Sequence, residues 1–246
     1  MPRWRFDICY DGTEYGGWQV QPGGTPTVQS KVEHTLAVLA GAAVKVHASG
    51  RTDRGVHARL QVCHADVDKP MVPGKVRRSM NSLMPPDIRV LRARMVDNGF
   101  HARRSVVEKE YRYFIWNAEV IPPFVRRYRL HVSRPLDVRA MREAAEDLVG
   151  RHDFASFTAN PNREVGSTVR SVTRIAVRRR GSEISIAVTG EGFLYKMVRS
   201  LVGFLLRVGE GRMGPSEARR ILEHRVRTAH VETAPPQGLF LWNVRY

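Results

Sequence analysis

Cysteine is nearly absent from this chain, with Cys9 and Cys63 the only two in 246 residues. That scarcity excludes a disulfide framework and any zinc site built on cysteine. No run of about twenty apolar residues occurs, so no membrane-spanning helix is expected. Met1-Pro2-Arg3-Trp4 enters a strand pattern at once, with no signal-peptide h-region, so no secretory signal is expected. The resulting expectation is a soluble, cytoplasmic protein with no membrane association. Cofactor machinery is missing too: there is no Gly-x-x-x-x-Gly-Lys-Ser/Thr loop and no strand-linked Gly-x-Gly-x-x-Gly. His57 and His64 stand seven residues apart, an offset that puts them on opposite faces of a regular strand, so no metal site is expected there. A Gly-x-Ser-x-Gly elbow is also lacking, which leaves a serine-based triad without support.

Acidic residues are scarce as well. Against 24 Asp and Glu stand 40 Lys and Arg, a net charge of +16 and a sequence pI near 10.8. Such an excess points to a polyanionic partner, a nucleic acid above all. Of the 40 cations, 34 are arginine, whose planar fork suits phosphate and base edges. They are scattered along the chain as pairs such as Arg77-Arg78, Arg126-Arg127 and Arg219-Arg220, which favours a folded protein with a basic face over a basic tail.

Hydrophobic periodicity sets out the elements. Trp4, Phe6, Ile8 and Tyr10 alternate as a first strand, and Val28, Val32, Leu36 and Leu39 recur at helical spacing between a capping Thr27 and a terminating Gly41. Val44, Val46 and Ala48 alternate as a second strand, and Val56, Ala58, Leu60 and Val62 as a third. A helix with Val76, Met80 and Leu83 on one face ends at Pro85-Pro86, and Ile88 to Met95 completes the unit. The order β-α-β-β-α-β is that of a ferredoxin-like fold. The second half repeats it, with strands at Tyr111–Ile115, Val172–Val177 and Ile184–Val188. A helix capped by Asp137, an apolar helix from Lys196 to Val208 and a last strand through Phe240, Trp242, Val244 and Tyr246 complete that half. The expectation is an α+β protein of two ferredoxin-like halves, residues 1–104 and 105–246, with a central basic cleft.

Between the second and third strands lies the stretch where chemistry concentrates, Gly50-Arg51-Thr52-Asp53-Arg54-Gly55. Two arginines beside one carboxylate favour its ionised form, which suits a nucleophile or a base. The same pattern also describes a tight turn holding a surface ion pair. Trp18, set among glycines, can stack on a base or pack into the core. Hydrolysis of a glycosidic bond calls for a second carboxylate as acid, and none is obvious near Asp53. An isomerisation that breaks and remakes the bond fits a single carboxylate better. Two other readings stay open: an RNA-binding protein without catalysis, and a metal-dependent nuclease using Asp7, Asp11 and Asp53.

Gly50 to Ala58, G-R-T-D-R-G-V-H-A, resembles the signature of the tRNA pseudouridine synthase A family. Tyr10-Asp11-Gly12-Thr13 with Gly17-Trp18-Gln19, Phe100-His101-Ala102-Arg103, Lys109 to Tyr113, His152-Asp153-Phe154 and Gly192 to Arg199 agree in order, and Gly238-Leu239 follows. The resemblance implies conversion of uridine to pseudouridine at positions 38, 39 and 40 in the anticodon arm of tRNA, two ferredoxin-like halves, a homodimer, and no cofactor or metal. It implies Asp53 as the catalytic carboxylate, Tyr111 stacked on the flipped base, and Arg199 as the cation paired with the aspartate. By the same resemblance, Arg51 helps to hold the RNA open and Leu239 is an apolar wall. Arg54 departs from the small residue usual after the aspartate, where it can contact a phosphate or change which substrates fit.

Overall fold

The computed structural model describes residues 1–69, 71–159 and 166–246. Its contacts group into two compact units, Met1–Val107 with Phe240–Tyr246, and Glu108–Leu239.

The first unit runs β1 (Arg3–Tyr10), α1 (Val28–Ala40), β2 (His47–Ala48), β3 (His57–Asp66), α2 (Pro73–Leu83) and β4 (Ile88–Val96). Its strands stand in the order β4-β1-β3-β2, antiparallel throughout, which is the ferredoxin-like arrangement the periodicity predicts. Thr27 caps α1 by accepting from the Ser30 amide at 3.2 Å, and Gly41 ends it in the left-handed region at φ 76°.

Two expectations are corrected here. The strand read over Val44–Ala48 shrinks to His47–Ala48, because α1 takes the backbone of Val46 for itself. Glu33 Oε1 accepts the Val46 amide at 3.0 Å, and Gln29 Nε2 donates to its carbonyl at 3.3 Å. On α2, Leu83 is 51% exposed, and the adjacent Met84 is buried in its stead.

The second unit runs β5 (Glu108–Asn117), β6 (Leu130–Val132), α3 (Val138–Glu146), β7 (Gly150–Asp153), β8 (Val169–Arg180), β9 (Glu183–Gly190), α4 (Met197–Gly209) and α5 (Glu217–His224). Its strands are ordered β5-β9-β8-β7, antiparallel, with β6 laid parallel along the end of β5. β6 and β7 are short additions that no periodicity announces. Asp137 caps α3 by accepting from the amides of Arg139 and Ala140. In α4, 11 of 13 residues are buried, and the two exceptions are Arg199 and Arg207.

The chain closes with β10 (Leu239–Arg245), in which Phe240 and Leu241 pair in parallel with His57 and Ala58 at the start of β3. The outer edge of β3 is thus divided, β2 taking its far end and β10 the end next to the Asp53 loop. Among the described residues no helix is long and apolar enough to cross a membrane.

Candidate active site

The Asp53 loop leads into β3, and its path is set mainly by backbone contacts. The Val56 amide donates to the Asp53 carbonyl at 3.1 Å, closing a tight turn with Gly55 at φ 74°. Only glycine takes that angle without strain. On one side, the Trp18 amide donates to the Thr52 carbonyl at 3.0 Å. There Gly17 sits at φ 104°, and a Cβ on it would lie 2.7 Å from Thr52 O and 3.0 Å from the carbonyl carbon of Asp53. A Cβ on Gly12 would come within 2.0 Å of the Val56 carbonyl oxygen. Glycines from the segment after β1 therefore press directly on both ends of the turn.

Beneath the loop lies a buried polar network. The Tyr10 hydroxyl and Thr52 Oγ1 are 2.8 Å apart, and burial pushes the Tyr10 pKa up, so the phenol stays neutral. Ser49 Oγ donates to Gln61 Oε1 at 2.6 Å, and Gln61 Nε2 donates to the Gly50 carbonyl at 2.8 Å. Ser49 and Gln61 are fully buried, so each hydrogen bond here replaces water that cannot enter. The Gly12 amide donates to His57 Nδ1 at 3.0 Å, and that nitrogen also lies 3.1 Å from Asp11 Oδ1. A single ring nitrogen cannot both accept the amide proton and donate to the carboxylate. The amide geometry makes Nδ1 the acceptor.

On this support Asp53 is half-buried, and Arg51 and Arg54 are exposed. Trp18 is 3% exposed against the ring of Tyr10, 6.1 Å between centroids, so it belongs to the core and not to a stacking platform. Of the carboxylates weighed for a metal-dependent nuclease, Asp7 is held by Arg5 at 2.7 Å, and Asp11 Oδ1 accepts from the amide and hydroxyl of Thr13. Among the described residues no three His, Cys, Asp or Glu side chains gather in a way that holds a metal ion.

The second unit places Tyr111, Arg199 and Leu239. Tyr111 stands on β5 opposite Val188 and is 8% exposed, with its ring edge-on to Phe193 at 5.3 Å. Arg199 Nε donates to the Ala234 carbonyl at 2.7 Å, and the Ala234 amide returns a bond to the Arg199 carbonyl at 3.0 Å. Eight residues on, Arg207 reaches Glu232 at 2.5 Å. The two arginines of α4 thus hold one extended strap, residues 232–235. Gly203 lets the strap approach, since a Cβ there would lie 2.1 Å from the Glu232 carbonyl oxygen. The Tyr113 hydroxyl donates to the Pro235 carbonyl at 2.8 Å, and Arg227 ties the strap to α4 through Thr233 Oγ1 at 2.8 Å and Ser200 Oγ at 2.9 Å. The strap leads to Leu239, which is 5% exposed.

Sequence reasoning singled out Asp53 but not the residues that underlie its loop. Gln61 and Ser49 lie outside the Gly50–Ala58 stretch and carry no motif of their own, and Gly203 and Arg227 act through a strap that no pattern announces.

Comparison with known proteins bears on both units. A family model described as tRNA pseudouridine synthase matches residues 8–103 and 144–246. A protein of Bacillus subtilis (strain 168) named tRNA pseudouridine synthase A is 44% identical over 246 residues, covering 99% of each chain. Proteins of the same name from an Exiguobacterium species and from Brevibacillus brevis are 43% and 44% identical, covering all of this chain and 98% and 100% of theirs.

Proposed function

From the premise that this chain belongs to the tRNA pseudouridine synthase family, we propose that it isomerises uridine to pseudouridine in the anticodon arm of tRNA, at positions 38, 39 and 40. The observation that carries the reading is the Asp53 loop: one carboxylate on a turn that two glycines and a buried hydrogen-bond network hold in place. Enzymes gain most from groups positioned before the substrate arrives. An enzyme acting on a base in a folded RNA must first extrude it, at a cost of a few kcal/mol.

In the reaction, the bond between ribose C1′ and uracil N1 breaks, the uracil turns, and C5 joins C1′. The C5 proton leaves to water and N1 gains one, so atoms and charge balance without an external reagent. Asp53 serves as the carboxylate, by adding to the ribose or by taking a ribose proton. Tyr111 is the stacking partner of the base, Arg199 a cation of the substrate site and Leu239 an apolar wall, while Arg51 engages the opened RNA. The enzyme works as a homodimer in the cytoplasm. The excess of positive charge supports a polyanionic substrate.

The test is release of tritium from C5-labelled uridine in a tRNA transcript, comparing the natural chain with Asp53→Asn, alongside tRNA binding by both. The expected result is release by the natural chain only, with binding retained in the variant, because only the reacting charge has gone. No release from a folded, tRNA-binding natural chain would leave an RNA-binding module as the better account.

A further inference from the structure

The segment between β5 and β6 carries the most exposed large apolar side chain among those described, Phe124, at 87%. Single exposed apolar residues are ordinary on protein surfaces, so exposure alone decides nothing. The support under this one is what stands out. The Val125 amide donates to the Pro122 carbonyl at 3.1 Å and the Tyr128 amide to the Val125 carbonyl at 2.9 Å, two successive turns that fix the tip. At the base, Trp116 Nε1 donates to the Val120 carbonyl at 2.9 Å. On the return side, Arg129 bonds Glu183 at 2.6 Å and lies 4.4 Å over the Phe114 ring. A segment tied at both ends thus presents an aromatic ring to water, with little conformational entropy left to lose when something binds it.

The chemistry beside the ring names the partner. Arg126 and Arg127 follow it and are both exposed, and Arg126 Nη1 folds back to the Pro123 carbonyl at 3.1 Å, which keeps its charge beside the tip. Residues 118–134 hold four arginines against one acidic residue, Glu119. A second copy of this chain docking on a two-fold axis here would bring like charges together, which opposes association. An RNA offers phosphates for the guanidinium groups and an unpaired base for the ring. The tip follows the end of β5 away from Tyr111. Tyr111 and Trp116 alone are five residues, or about 16 Å, apart along the strand, so the contact falls on a different part of the RNA from the target nucleoside.

We propose that the Phe124–Arg126 tip is a second RNA-contact site, on which an unpaired base stacks on Phe124 while Arg126 binds the adjoining phosphate. The inference rests on tRNA being the substrate, and its test separates the two.

The experiment measures the affinity of the full chain for a tRNA transcript at several salt concentrations, together with tritium release and solution mass. The variants are Phe124→Leu, Phe124→Trp and Arg126→Ala, all at exposed positions. Base–aromatic stacking is worth about 1–3 kcal/mol, so Phe124→Leu weakens binding by about 5- to 150-fold, while Phe124→Trp stays within about twofold of the natural chain. Arg126→Ala lowers the slope of log affinity against log salt by about 1. The maximal turnover rate is unchanged in all three. Leucine serving as well as tryptophan would overturn the proposal, since plain apolar cover would then suffice. A change in solution mass would overturn it in favour of contact between copies. Weakened binding by Phe124→Leu in a chain that releases no tritium would uphold the contact and sink the synthase reading. Unchanged affinity in an active enzyme would do the opposite.

Discussion

Asp53 and Arg199 are each fixed by a backbone that only glycine lets approach, yet the material around them differs. Asp53 rides on a turn whose underside is polar, with Tyr10, Thr52, Ser49 and Gln61 linked by hydrogen bonds within residues 10–61. Arg199 rides on an apolar helix, and what holds it is a strap some 35 residues further on. A polar underside is directional: each bond fixes an angle, and losing one tilts the loop. An apolar helix is held by many non-directional contacts, so a local change there is spread as a loss of stability. The first unit should therefore report damage in turnover and the second in melting temperature.

The sharpest trial of that contrast pairs Gly12→Ala with Gly203→Ala. Both add one methyl against a carbonyl oxygen, at 2.0 Å in the first and 2.1 Å in the second. Overpacking of this kind costs about 1–3 kcal/mol. In Gly12→Ala the Asp53 turn must move, and a misplacement of about 1 Å lowers the maximal rate by about a hundredfold. In Gly203→Ala the strap parts from α4, so the melting temperature falls while the rate at low temperature drops less than tenfold. Equal losses of rate in the two variants would break the comparison.

Next in size is a pair of amphipathic tethers. Gln61→Leu strips the acceptor from the buried Ser49 hydroxyl and the donor from the Gly50 carbonyl. Arg227→Met removes the bonds to Ser200, Thr158 and Thr233. A buried polar group left without a partner costs about 1–3 kcal/mol, so chemical denaturation should register both. Only Gln61→Leu is expected to lower turnover beyond what its unfolded fraction explains.

Much of this was legible in the sequence, and the gaps have physical causes. Alternation and helical spacing depend on burial of one face, so β1, α1, β5 and α4 could be read directly. The strand read through Val46 does not form, because the Val46 backbone bonds to the side chains of Gln29 and Glu33, partners more than ten residues away that leave the local pattern untouched. Leu83 and Met84 are both apolar, and which of them turns inward depends on where α2 ends. The Asp53 turn announced itself through its own glycines, whereas Gly12 and Gly17 acquire meaning only once the segment after β1 is folded against it. For Arg199 the resemblance implies the aspartate as partner; the structure adds the carbonyl of Ala234, and no residue type marks a carbonyl in advance.

A smaller effect is expected from removing one hydroxyl in each unit. Tyr10→Phe deletes the bond to Thr52 Oγ1, and Tyr113→Phe the bond to the Pro235 carbonyl, each 2.8 Å long. Each should lose about 0.5–1.5 kcal/mol in urea unfolding. Tyr10→Phe leaves Thr52 free to rotate directly before Asp53 and should lower the maximal rate several-fold. The Tyr113 bond holds a strap that Arg199, Arg207 and Arg227 also hold, so its loss should leave the rate within twofold.

The least effect, and the one that probes the polar first unit without touching the loop, is a response to acid. His64 is 2% exposed, and its Nδ1 accepts the Ala102 amide at 3.1 Å. Burial, with the neighbouring His101, Arg3 and His47, holds its pKa down to about 4 from an ordinary 6.5, and Asp66 opposes this. Because the folded value lies below the unfolded one, the unfolded chain takes up the proton first. The stability His64 confers is therefore complete above about pH 6.5 and is lost as pH falls from there toward 4. Amide hydrogen exchange should show protection falling across β3 over that window. His64→Asn, which keeps an acceptor for the Ala102 amide and cannot titrate, should flatten the fall. Equal acid sensitivity in the two proteins would assign the loss to the carboxylates, such as Asp66, whose pKa the Arg3 hydrogen bond lowers. Its contribution disappears only as pH falls through the lower carboxylate range, so the shape of the curve between pH 6.5 and 4 separates the two causes.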